Sequence, residues 1–187
     1  MRNPVLLRGF IAVGLCLCAL QVRSDGRGMP LTADLVAGAW KLVSIEYSGP
    51  AGPEPDPIFW PHSSGIIVYD RSGWMSVQIS APERPALDDR VRTSGSVAAD
   101  SAARSLAFET YYAYSGTWSF DVGASAVTHH IRMSLLPYEV GKDYRRLVSF
   151  DGQHLTLTVD PGRDQGTRKQ VSRRVLTWER IETSRPQ

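Results

Sequence analysis

The sequence predicts an all-β fold: an up-and-down antiparallel β-barrel of about eight strands with one α-helix. Three observations carry that prediction. Several stretches alternate apolar and polar residues with a period of two and are rich in aromatic and β-branched residues, the pattern of half-buried strands. Most of them follow one another through short turns, as consecutive hairpins do. Only residues 98–111 change to the three- and four-residue spacing of a helix. Closing such a meander into a barrel removes its exposed sheet edges.

The chain has 187 residues, a length that suits a single domain. Its start has the layout of a secretory signal peptide. Arg2 and Arg8 precede an apolar run from Gly9 to Leu20, and Val22 and Ser24 suit a cleavage site after Ser24. The expectation is export, secreted or periplasmic, with residues 1–24 removed. A bilayer span needs about 20 apolar residues, which ranks a membrane-anchored N-terminus second. Cys16 and Cys18, the two cysteines of the chain, lie within that run, so no disulfide or thiol nucleophile is expected in the mature domain. Leu15 and Leu17 stand where lipidation of either cysteine needs a small residue. Three positive charges of the formal net +2 (Arg2, Arg8 and Arg23) fall in the leader, so the rest stands at −1. That balance gives no support for nucleic-acid binding.

Residues 25–32 read as a linker, 33–183 as the barrel domain and 184–187 as a tail. Thr32 or Asp34 is placed to cap one helical turn through Leu35 and Ala37. The run AWKLVSIEYS from Ala39 is the first strand. The stretch 49–62 (GPAGPEPDPIFWPH) holds too many prolines for helix or central strand and reads as a long ordered loop. Its Phe59 and Trp60 either form a lid or plug the barrel rim. Gly65–Asp70 and Trp74–Ser80 form a hairpin through Asp70-Arg71-Ser72-Gly73, with Met75, Val77 and Ile79 on one face. A polar, proline-rich loop, 81–95, leads to the helix, where Asp100 stands near the start and Ala102, Ala103, Leu106 and Ala107 share a face.

Residues 112–137 are the most informative. Tyr114, Gly116, Trp118 and Phe120 share one face of a first strand. After the turn 121–125, Val127, His129, Ile131 and Met133 share a face of the second. Strands follow at 143–151, 153–160 and 171–182, the first two joined by Asp151-Gly152. The basic run from Arg163 to Arg174 reads as a solvated loop before the last strand.

Five segments in order, LVAGAWKLVSIE, SGIIVYDRSGWMSVQIS, FETYYAYSGTWSFD, VTHHIRMSLLP and LTWERI, resemble the lipocalin-like domain proteins, small single-domain barrels of bacteria and fungi. The resemblance spans Leu35 to Ile181 and implies a lipocalin-like barrel. Gly38-x-Trp40 is similar to the G-x-W element of the first lipocalin strand. It implies that Trp40 closes one end of the barrel beneath an arginine, for which Arg180 is the candidate; a guanidinium stacks well on an indole face. The lipocalin disulfide has no counterpart, and Asp143-Tyr144 is a weak echo of the T-D-Y turn. The family carries no single agreed activity.

The chemistry-bearing residues follow from strand phase. His129 shares its face with apolar residues and should point inward, to hydrogen-bond a ligand, to act as a base, or to be satisfied in the core. His130 points the opposite way, so the two cannot chelate together. With no third ligand at metal spacing, neither a metal nor any other cofactor is expected. Arg146 alternates with Tyr144, Val148 and Phe150 and should also face in. A buried charge is costly unless paired. Either a ligand carboxylate or enolate pairs it, or a twist takes it to the rim. Tyr69 and Tyr114 add hydroxyls, and Trp118 and Met75 complete the expected ligand-binding set. No catalytic residue is assigned, and serine hydrolysis lacks a nucleophile elbow. The first reading is an exported barrel binding a small, largely apolar molecule, with no membrane span after processing. The alternatives are a cofactor-free isomerase or cyclase acting on a carbonyl compound, and a structural domain whose barrel is filled.

Overall fold

The structure is a computed structural model and describes residues 31–49, 51–84, 101–159 and 172–182. Expectations for the leader 1–24, linker residues 25–30, loop residues 85–95, Asp100, residues 163–171 of the basic run and the tail 184–187 lie outside the described residues. Nine strands form one sheet: β1 (Gly38–Gly49), β2 (Gly52–Pro53), β3 (Ser64–Tyr69), β4 (Trp74–Ser80), β5 (Tyr111–Asp121), β6 (Ala126–Ser134), β7 (Asp143–Phe150), β8 (His154–Val159) and β9 (Arg173–Arg180). Each of β3 to β9 pairs with its sequence neighbour, and β9 returns to pair with β1. The result is a closed eight-stranded antiparallel barrel, with β2 as a two-residue addition to β1. Two short elements accompany it, α1 (Ala33–Val36) and α2 (Ser101–Glu109), with a 3-10 turn at Pro137–Glu139. Among the described residues no helix is long and apolar enough to cross a membrane.

The core is the inward face of every strand. Trp40, Tyr69, Ile67, Ile79, Ile131, Leu155 and Trp178 are each less than 2 % exposed. Burying side chains of this kind contributes about 1.5–3 kcal/mol apiece, and that is what holds the strands in phase. The helices add little. Thr32 is the N-cap residue of α1, but its side chain makes no cap hydrogen bond. α2 buries no residue fully, and Leu106 and Phe108 on it are exposed.

Two bulges change the phase read from simple alternation. In β1, Leu42 pairs with Trp178 but Ser44 with Thr177, so Val43 is extruded and exposed. In β6, Ile131 pairs with Gly116 and Met133 with Ser115, which leaves Arg132 as the extra residue. Met133 therefore does not share the inward face of His129 and Ile131. It is 59 % exposed, and Ser134 turns inward in its place. Gly116 permits this second bulge, because a Cβ there would lie 2.0 Å from the His130 carbonyl oxygen and 2.9 Å from the Arg132 nitrogen.

The two ends of the barrel differ. One is closed by tight turns and by α1. Here the Trp40 indole donates to the Val36 carbonyl at 2.9 Å, and Phe150 meets the same ring edge-on. The Arg180 guanidinium lies 4.0 Å from the Trp40 ring centroid and donates to the carbonyls of Ala37 and Leu35. Gly38 has a φ of +138°, and a side chain there would meet Arg180 at 2.6 Å. The other end carries longer connections, among them 51–63 and 135–142.

Candidate functional site

A cavity of about 250 Å³ opens inside the barrel toward the long connections. The barrel is thus not filled by its own side chains. Its floor and sides are aliphatic, from Ile67, Val77, Ile79, Leu157, Val159 and Leu176. Its mouth is framed by Ile58 and Phe59 from the 51–63 loop and by Leu136 and Tyr138 from the 135–142 connection.

The polar wall is built from β5, β6 and β7. His129 is 1 % exposed and lines the cavity. Its Nε2 lies 2.7 Å from the Tyr69 hydroxyl and its Nδ1 2.7 Å from the Tyr114 hydroxyl. Burial first, then the nearby Arg146 and His130, hold the imidazole well below its usual pKa, so it is neutral at physiological pH. Burial likewise pushes both phenols up, Tyr114 to about 12 and Tyr69 well above its usual value, with Arg146 opposing in each case. Both tyrosines are therefore protonated.

Arg146 lines the cavity beside this triad. It stacks 5.1 Å from the Tyr144 ring centroid, and one of its nitrogens donates to the Arg145 carbonyl at 3.0 Å. No carboxylate pairs with it among the described residues. Neighbouring Arg145 points out of the barrel, 3.5 Å from Asp121.

Glu139 is the polar residue that alternation could not reveal. It is 4 % exposed and enters the cavity from the 3-10 turn. Tyr112 and Tyr144 both donate to its Oε1 at 2.9 Å, and Ser134 donates to its Oε2 at 2.6 Å. Ser134 reaches it only because the β6 bulge turned it inward. Three hydroxyls satisfy this buried carboxylate without a cation. Nothing in the local pattern around Pro137-Tyr138-Glu139 signals it, because the placement depends on how the connection folds back over the barrel.

Arg174 is also at the mouth. It belongs to β9, within the strand expected at 171–182, and not to a solvated loop. Its Nε and Nη2 hold Asp56 at 2.5 and 2.9 Å, and its guanidinium lies 5.3 Å from the Tyr47 and Phe59 rings. Asp56 also accepts from the amides of Ile58 and Phe59. This clamp fixes the proline-rich loop across the barrel and buries Phe59 against Tyr112. Alternation with Leu176 and Trp178 was the available signal for Arg174. Trp178 is a further lining residue, and its buried Nε1–H has no partner among the described residues.

Three of the residues expected on the pocket wall lie elsewhere. Tyr69, Met75 and Trp118 are packed toward the closed end and do not reach the cavity. Tyr69 touches it only through His129. Trp118 packs at a tilt against Tyr69, with ring centroids 5.0 Å apart, and donates to the Asp70 carbonyl at 2.9 Å. Their strands run past the cavity floor, so correct phase put them inside but at the wrong height.

On the outer face, Ser119 lies 3.0 Å from His130 Nε2, and His130 Nδ1 lies 2.7 Å from Asp143. This is the order of a nucleophile, base and orienting acid. It sits on the exposed outer face of the barrel, where β5, β6 and β7 pair through Ser119↔Thr128 and His130↔Asp143. Among the described residues no group of three or more His, Cys, Asp or Glu could hold a metal ion.

No curated protein matches the sequence. The family model of the lipocalin-like domain matches residues 37–181, from the turn before β1 to the end of β9. That match covers the whole barrel, its cavity and the Trp40–Arg180 closure, and the chain belongs to the lipocalin-like domain family.

Proposed function

We propose that this protein binds a small, largely apolar molecule in the barrel interior. The observation that carries the reading is the 250 Å³ cavity, aliphatic over most of its wall and with Arg146 facing it unmatched by any described carboxylate. The volume is below the roughly 300–1,000 Å³ of drug-sized sites, which favours a compact ligand. Turnover by an isomerase or cyclase is the second reading, and the hydrogen bonding weighs against it. His129 has both nitrogens engaged, and Glu139 has both oxygens engaged, so neither stands free as a base. Native mass spectrometry of protein purified from its own source tests the reading. A retained small molecule, displaced by substitution of Arg146 with Met, is the expected result. Repeated isolation with no bound molecule, and no binding across a small-molecule panel, would refute it.

The reading extends to location. The charged start and short apolar run support export with cleavage after Ser24. N-terminal sequencing of the protein from periplasmic or extracellular fractions should begin near Asp25. Intact Met1 on soluble cytoplasmic protein would refute export.

A further inference from the structure

Each hydroxyl proton of the buried Tyr69–His129–Tyr114 chain needs an acceptor. Neutral imidazole donates from one nitrogen and accepts at the other. The Tyr69 hydroxyl touches only His129 among the described residues, and Tyr69 does not line the cavity. If His129 carried its proton on Nε2, that proton would go to Tyr69 and leave the Tyr69 hydrogen buried without an acceptor. Such an unmet donor is costly in the closed interior, whereas the opposite arrangement moves the spare hydrogen to Tyr114, which lines the cavity. Tyr69 donates to Nε2, His129 donates from Nδ1 to the Tyr114 oxygen, and the Tyr114 hydrogen is left over. Tyr114 lines the cavity, and among the described residues its hydroxyl meets no acceptor other than His129. The chain therefore fixes Tyr114 as a donor into the cavity.

Arg146 stands beside it with donors only, and one of its nitrogens alone is spent on the backbone. On the opposite side Trp178 adds an indole whose N–H has no described partner. The carboxylates sheltered at this end of the barrel, Glu139 and Asp56, are already taken by hydroxyls and by Arg174. The polar wall thus presents unmet donors to a largely aliphatic space.

We propose that the cavity selects its ligand by an oxygen acceptor, a carbonyl or carboxylate oxygen, seated between the Tyr114 hydroxyl and the Arg146 guanidinium. The inference rests on the reading of the barrel as a small-molecule binder and specifies the head group of the molecule bound. The aliphatic wall takes its body. Tyr69 is a positioning residue: it never meets the ligand, and it sets the direction of the proton chain.

Two measurements on the full-length protein separate this inference from the binding reading. The first needs no ligand. Nitrogen-15 NMR of the histidine side chains should find His129 neutral with its proton on Nδ1. A proton on Nε2 would overturn the donor assignment while leaving small-molecule binding intact. The second titrates one skeleton with four heads: 3-phenylpropanoate, benzylacetone, 3-phenylpropylamine and propylbenzene. The ketone and carboxylate should bind about tenfold or more tightly than the amine and hydrocarbon, the worth of one good hydrogen bond to a polar or charged group. Tyr114→Phe should erase most of that preference, Arg146→Met should weaken the carboxylate most, and Tyr69→Phe should lower ketone affinity about threefold without changing propylbenzene. Amine or hydrocarbon binding equal to the ketone would overturn the inference yet support an apolar binding barrel. Binding by none of the four would count against both readings, and the NMR result would still decide the donor direction.

Discussion

Replacing Trp40 with Ala removes the ring that closes the barrel. The side chain is fully buried, and losing a buried large aromatic costs about 3–5 kcal/mol. Here the Val36 carbonyl also loses its 2.9 Å donor, and the Arg180 guanidinium over the indole and the Phe150 ring against its edge lose their platform, so the upper end applies, about 5 kcal/mol. Arg180→Ala should cost less, about 2 kcal/mol. It frees two carbonyls, but the exposed guanidinium sits where water can replace it. The 4.0 Å stacking predicts coupling, so the double variant should be less damaging than the two added together by about 1 kcal/mol. Urea denaturation with an unchanged slope measures all four proteins. Additivity within about 0.3 kcal/mol would show that the stacking carries no energy, and a Trp40→Ala loss below about 1 kcal/mol would refute the closure itself.

Three other outcomes are expected. Burial raises the Asp56 pKa, but the bonds from Arg174 and the Ile58 and Phe59 amides outweigh it, so the folded value lies below the ordinary 3.8. Its contribution is present above the unfolded pKa and lost as pH falls through the folded one. The protection factors of the Ile58 and Phe59 amides, exchange rates corrected for their intrinsic pH dependence, should therefore fall on acidification, and Asp56→Asn should show the lower protection already at neutral pH. His129 runs the other way round: its folded pKa is depressed, so the unfolded chain takes up the proton first and stability should fall as pH drops below about 6.5. The slope attributable to it, at most about 1.4 kcal/mol per pH unit, should vanish in His129→Gln denaturation curves. Gly116→Ala should destabilise by about 3 kcal/mol, since a Cβ would collide with backbone rather than with a yielding side chain. A thermal melt indistinguishable from the parent would show that the β6 bulge relaxes freely.

The sequence by itself determined the closed barrel and its chain order. Alternation on β4 through β9 is local information, because a strand with one buried face must repeat every second residue. The same rule sets His129 and Arg146 apart from His130 and Arg145, since Val127, Ile131 and Val148 share the faces of the first pair. The G-x-W resemblance singled out Trp40 and Arg180, which the structure stacks across the β1–β9 seam. Alternation does not record height along the barrel, so it places Tyr69, Met75 and Trp118 on the wall although they lie beneath the floor. Nor does it record a bulge. The extra residue at Arg132 exchanged Met133 for Ser134 on the inside, and only the cross-strand register with Gly116 reveals it. Glu139 and Asp56 come from connections without a period, and each acquires its partners only when the chain folds back over the mouth. Tertiary structure decided the polar content of the cavity for that reason: Glu139 meets Tyr112, Ser134 and Tyr144, Asp56 meets Arg174, and Arg146 is left without a described carboxylate, because hydrogen-bond satisfaction is a property of the assembled barrel.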